Sequence, residues 1–187
     1  MIILDNGHGI NTKGKRSPLY SEFLEFEFNR DIVRRISADL NALNISSIIL
    51  VPEIEDIGLK ERVRRANTIS SRHKQSVLIS IHANAGGGTG WEVWTSVGET
   101  KSDDIANLFY IEAYKHLKSF PMRKDMSDGD VDKESQFYIL RNTICPAILT
   151  ENLFMDTEKD VQYLMSEVGR RTIALLHIQA ILKIYKL

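Results

Sequence analysis

The chain has 187 residues, 43% hydrophobic and 26% charged, with a formal net charge of −1. That length supports one domain with a substantial core, and the balanced charge offers no basic face for nucleic acid or an anionic membrane. A single cysteine, Cys145, leaves neither an internal disulfide nor a thiolate zinc site available.

In chain order, Met1-Ile2-Ile3-Leu4 is an apolar strand, predicted over 2–5, that runs into Asp5-Asn6-Gly7-His8-Gly9. A loop over 6–21 leads to a helix over 23–43, where Ile32, Val33, Ile36, Leu40 and Leu43 recur at helical spacing. A strand over 45–51 and a helix over 58–72 follow. Ser76 to Ile81 form a second buried strand, 76–82, which ends in His82 within Ser80-Ile81-His82-Ala83-Asn84-Ala85. Gly86-Gly87-Gly88-Thr89-Gly90 lacks the Gly-Lys-Ser/Thr run into a helix that a phosphate cradle requires. It reads as a flexible turn into a strand over 90–96, where Trp91 and Trp94 face opposite sides. Then come a helix over 102–118, a polar loop over 119–134, strands over 136–140 and 145–150, and helices over 157–165 and 166–185. The last strand delivers Glu151 and Asn152 at its end.

Alternating strands and helices imply an α/β fold: three layers, with a mainly parallel or mixed central sheet and helices on both faces, phosphorylase/hydrolase-like. With no repeat, linker or low-complexity run, residues 1–187 read as a single domain.

The carboxyl ends of strands line the ligand crevice of an open α/β sheet. His8 and His82 each stand just past a buried strand, which makes them a natural start to a metal site. A catalytic zinc needs three protein ligands and one open position. The candidate carboxylates are Glu22, Glu25 and Glu27. Glu25 and Asn29 are four apart and share a helix face, whereas Glu27 points the opposite way. Geometry leaves Glu25 and Glu22. Glu151 supplies a strand-end carboxylate that could act as general base in the same crevice.

Other polar residues have plainer readings. The loop from Lys124 to Asp132 is acidic, but counting from Asp128 the EF-hand glycine and glutamate places hold Lys133 and Ile139, so it reads as solvated. His177 reads as packed on the last helix, His73 and His116 as solvated, and Cys145 as a small core residue. Asp5 reads as a support or turn former, and Asn84 as orienting loop backbone.

The ordered set resembles the zinc-dependent N-acetylmuramoyl-L-alanine amidases. Gly7-His8-Gly9, Glu25 followed by Asn29, the run Ser80 to Ala85, and Glu151 on a strand after Pro146 match that family's motifs in order. Glu61-Arg62 and Asn67 match a further helix, and the likeness runs from Ile2 to about Ile181. Asn6 stands where the family usually has proline, and the glutamate segment is unusually aromatic and lacks the usual preceding glycine. The resemblance implies a catalytic amidase domain that hydrolyses the amide between N-acetylmuramic acid and L-alanine in peptidoglycan, for cell-wall degradation or remodelling. It implies Zn2+ held by His8, Glu25 and His82, with water at the open position and its pKa lowered toward about 7. Glu151 would accept the water proton and deliver it to the leaving amine.

Two alternatives share these residues: a zinc peptidase or carboxypeptidase acting on stem peptides, and a non-catalytic peptidoglycan-binding relative. Glu151 speaks against the second. The expected partner is peptidoglycan, met by a monomer without membrane insertion. No signal peptide or membrane span is visible. The chain is therefore expected to be made in the cytoplasm and to reach the cell wall, periplasmic or extracellular, by a route its sequence does not reveal.

Overall fold

Successive side chains of the apolar runs point to opposite sides of one sheet, and both sides are covered by helices. A computed structural model describes residues 1–127 and 129–185. The strands are β1 (Ile2–Asn6), β2 (Ser47–Ile49), β3 (Val77–Asn84), β4 (Trp91–Thr95), β5 (Lys133–Glu134) and β6 (Ala147–Phe154). The helices are α1 (Glu25–Ala42), α2 (Leu59–Arg72), α3 (Lys101–His116), α4 (Tyr138–Arg141), α5 (Glu158–Met165) and α6 (Glu167–Ile184). The sheet order is β2-β1-β3-β6-β4-β5. The first four of these run parallel, as helical crossovers allow, and β4 is antiparallel to β6. The mixed, three-layer α/β expectation holds.

Ile2, Leu4, Ile79 and Ile81 pack with Phe28, Ile32 and Ile36 of α1, Phe109 of α3 and Ile173 of α6. On the other face Ile3, Leu78 and Leu149 meet Val63 and Ala66 of α2 and Ile139 and Leu140 of α4. Burying a side chain of this size contributes about 1.5–3 kcal/mol. The two tryptophans of β4 divide as expected. Trp91 is in the first core, and Trp94 packs beside the second, 5.3 Å from the Phe137 ring.

Three expected elements differ. The strand placed over 136–140 is instead α4, a single helical turn that buries Ile139 and Leu140 and leaves Phe137 exposed. The strand placed over 45–51 pairs only over Ser47–Ile49. The strand placed over 145–150 runs on to Phe154, so Glu151 lies mid-strand rather than at its end. There the register against β3 shifts between His82 and Asn84, and Leu153 takes a left-handed φ of 64°. Cys145 lies half-buried just before β6.

His177 is fully buried, as its helix implied. Its Nδ1 donates to the Ile173 carbonyl at 2.7 Å, which leaves Nε2 to accept from Thr150 Oγ1 at 3.0 Å. Burial pushes its pKa down to about 4 from 6.5. The unfolded chain therefore takes up this proton first as pH falls. The contribution is complete above pH 6.5 and is lost progressively toward pH 4, by about 3 kcal/mol in all. Urea unfolding at successive pH values should show a steeper acid limb for the native chain than for His177→Gln. Parallel limbs would contradict this reading.

Candidate active site

The site is built on the carboxyl edge of β1, β3 and β6. Gly7 and Gly9 are needed for close approach. A Cβ on Gly7 would lie 2.1 Å from His82 Cε1, and one on Gly9 would lie 2.0 Å from the Asp56 backbone nitrogen. His8 between them holds a φ of 64°, a left-handed conformation that is uncommon outside glycine but that histidine adopts more readily than most residues. Cations and an amide fix that turn. Arg30 donates to the His8 carbonyl at 2.9 Å, Arg62 donates to the same oxygen at 3.3 Å, and Asn29 donates to the Gly7 carbonyl at 3.0 Å. Asn29 and Arg30 are on α1, so the helix that carries Glu25 also aims His8.

Arg62 of α2 anchors the strands from below. It donates to Asp5 Oδ1 at 2.6 Å and to the Asn6 carbonyl at 2.9 Å, and Ser80 donates to Asp5 Oδ2 at 2.6 Å. Both members of the Asp5–Arg62 pair are only 2% exposed. Removing one partner of such a pair costs about 3–5 kcal/mol, because the other stays buried and uncompensated. Asp5 is thus a strand-to-helix tie that bonds Arg62 and Ser80.

His8, Glu25 and His82 each offer a ligating atom, and these atoms lie within 4.8 Å of one another. Glu25 Oε1 is 3.2 Å from His8 Nε2 and 3.1 Å from His82 Nδ1, and the two rings meet edge-on at 4.9 Å. Glu25 is 1% exposed, whereas Glu22 and Glu27 are exposed and outside the cluster. Among the described residues, buried His8 Nε2 and Glu25 Oε2 have no hydrogen bond beyond the contact of that nitrogen with Glu25 Oε1 and of Oε2 with Lys15 at 3.6 Å. Burial disfavours charge on Glu25, but bonding to the two imidazoles outweighs it and holds the carboxyl well below the usual range. Burial lowers His8, with Glu25 opposing. Burial acts the same way on His82, but there Glu25 prevails and the net shift is upward.

Glu151 sits beside His82 in the β3–β6 register. Its Oε2 is buried without a hydrogen-bond partner among the described residues, and burial pushes its pKa up to about 8, opposed by the His82 charge. A cation bound a few ångströms away would draw it down again. His8, His82, Glu151 and Arg62 line a cavity of about 480 Å³ with Lys15, Phe137 and Tyr138.

Several of these lining residues escape sequence reasoning. Lys15 Nζ is 3.6 Å from Glu25 Oε2, placed by a bond from the Glu25 amide to the Lys15 carbonyl. No periodicity in the loop signals that return. Phe137 and Tyr138 reach the cavity because their segment is a helical turn. Asn84 does orient backbone, accepting from the Ala85 amide and donating to Glu92 at 2.8 Å each. His73 is exposed at the end of α2, whereas His116 is half-buried, 3.6 Å from Glu112.

The fold and cavity define an α/β hydrolytic enzyme with a candidate His/Glu metal centre. The profile of the family described as N-acetylmuramoyl-L-alanine amidase matches residues 2–183, and the chain belongs to that family. It hydrolyses the amide between N-acetylmuramic acid and L-alanine in peptidoglycan.

Among curated proteins, the amidase CwlM of Bacillus licheniformis is 27% identical over 100% of this chain and 69% of its own length. The endolysin of Bacillus phage SPP1 is also 27% identical, over 100% of this chain and 66% of its own. The chain thus spans about two thirds of each relative. The solved N-acetylmuramoyl-L-alanine amidase of Clostridium difficile 630 has a TM-score of 0.84 at 27% identity, covering 99% of this chain and 96% of that one. Among the described residues no helix is long and apolar enough to cross a membrane.

Proposed function

We propose that His8, Glu25 and His82 hold one Zn2+ and that Glu151 is the general base of the amidase reaction. The observation that carries this reading is the convergence of the three ligating atoms within 4.8 Å, at a cavity that Glu151 also lines. The donors fit the ion. Two imidazoles and one carboxylate are a known catalytic zinc set, and the buried His8 Nε2 and Glu25 Oε2 lack other hydrogen bonds among the described residues. When bound, zinc supplies a Lewis acid and lowers the pKa of water.

The chain's own groups do the rest. Glu25 stays ionised between the two rings. Arg30 and Arg62 hold the His8 turn through its backbone carbonyl, which fixes where the ring starts from. Glu151 accepts the proton of the attacking water and returns it to the L-alanine amine as it leaves. We read residues 1–187 as one catalytic domain that works as a monomer on the cell wall.

Mass spectrometry of purified peptidoglycan after digestion tests the assignment. Free stem peptides beginning with L-alanine should appear while glycan strands stay whole. A chelator should stop their release, and added zinc should restore it. Cuts within the stem peptide would favour the peptidase alternative.

A further inference from the structure

A second group of carboxylates lies on the opposite edge of the sheet, apart from the histidines. Asp103, in the first turn of α3, and Asp130 and Asp132, in the loop that leads to β5, each offer an oxygen within 4.8 Å of the other two. Sequence alone makes this loop solvated, yet Asp132 is only 1% exposed. Its Oδ2 accepts from Thr95 Oγ1 at 2.5 Å, while among the described residues its Oδ1 has no donor. Asp103 also accepts from the Thr100 amide in a capping box, and among the described residues its buried Oδ1 and that of Asp130 likewise have no donor. Among the described residues none of the three pairs with lysine or arginine, and the neighbouring Lys133 is taken by Glu92 at 2.8 Å. Among the described residues, three carboxylates with buried, unpaired oxygens and no lysine or arginine paired to them form an arrangement that burial penalises strongly.

We propose that Asp103, Asp130 and Asp132 form a calcium site that fastens the α3–β5 loop to the sheet edge. The donors are all oxygen, which selects a hard cation over zinc. Calcium binds oxygen at about 2.3–2.6 Å, and three oxygens all within 4.8 Å of one another are close enough to share one such ion. Magnesium, at about 2.0–2.1 Å, demands a strict octahedron and keeps several of its waters, so it suits an irregular set of protein carboxylates less. The pattern is not an EF-hand, because one ligand comes from a helix and two from the loop. Burial, reinforced by a hydrogen bond with Asp130 and by the Asp130 and Asp103 charges, pushes the Asp132 carboxyl up to about 7, although Thr95 opposes it; a bound cation would remove that frustration.

The consequence reaches toward the cavity. The loop leads into β5, whose Lys133 holds Glu92 at 2.8 Å, and Glu92 is the β4 residue registered against Glu151.

The test uses the zinc-loaded chain, freed of calcium by dialysis against resin-treated buffer, with zinc content checked before and after. Calorimetric titration with calcium chloride should give about one ion per chain. Saturating calcium should raise Tm by about 5 °C or more, with zinc content unchanged, and magnesium should do less. Asp130→Asn, which removes a charge and keeps the shape, should fold without calcium at least as well as the native chain and lose the calcium response. No heat and no Tm shift at millimolar calcium would overturn the proposal and leave a shared proton as the cluster's neutralising partner. A full calcium response in a folded Asp130→Asn chain would overturn it as well.

Discussion

Glu151→Ala is expected to keep its zinc and lose activity by about 10²–10⁴-fold, the usual contribution of a positioned proton-transfer group. The reason is location. Glu151 lines the same cavity as His8 and His82 but is not among the three residues whose ligating atoms converge. Among the described residues its buried Oε2 has no partner, so removing the side chain leaves no orphaned cation behind. The fold should survive, and metal analysis beside turnover on peptidoglycan reads both halves. An alanine variant that loses zinc would make Glu151 a ligand instead.

His82→Ala is expected to lose zinc and activity together. Outer-shell changes alone weaken metal sites by about 10–100-fold, and His82 is one of three inner donors in this account. Glu25→Ala should behave the same way, with a further cost because both imidazoles lose their shared carboxylate. Glu22→Ala should retain zinc and full activity, since that side chain is exposed and outside the cluster. The contrast is read by metal content after identical purification. Zinc retained by Glu25→Ala and lost by Glu22→Ala would reverse the assignment.

The strands that carry His8 and His82 were legible because each is a continuous apolar run ending in small residues, as strands covered on both faces must be. α1 was legible from its repeating apolar face, and that face separates Glu25 from Glu27. Phe137 to Leu140 misled because a short apolar, aromatic run has no period that distinguishes strand from helix. β6 looked shorter than it is because Asn152 interrupts the apolar run. Its side chain is buried instead, accepting from Trp91 Nε1 at 2.9 Å and donating to the His82 carbonyl at 3.0 Å. The demand for glycine at 7 and 9 comes from His82 and Asp56, which are distant in sequence. The same holds for Lys15 beside Glu25 and for Asp132 beneath α3. Local pattern placed the elements, and long-range contact decided what each polar side chain meets.

The most direct test of the central claim is zinc K-edge X-ray absorption on the purified, fully loaded chain. The account predicts two imidazole nitrogens near about 2.0–2.1 Å and light oxygen donors at about 2.0–2.2 Å, with no sulfur near 2.3 Å. The same spectrum from His82→Ala, reloaded with zinc, should lose one imidazole if any metal binds. A sulfur shell, an imidazole count unchanged by that substitution, or a native chain that takes up no zinc would contradict it.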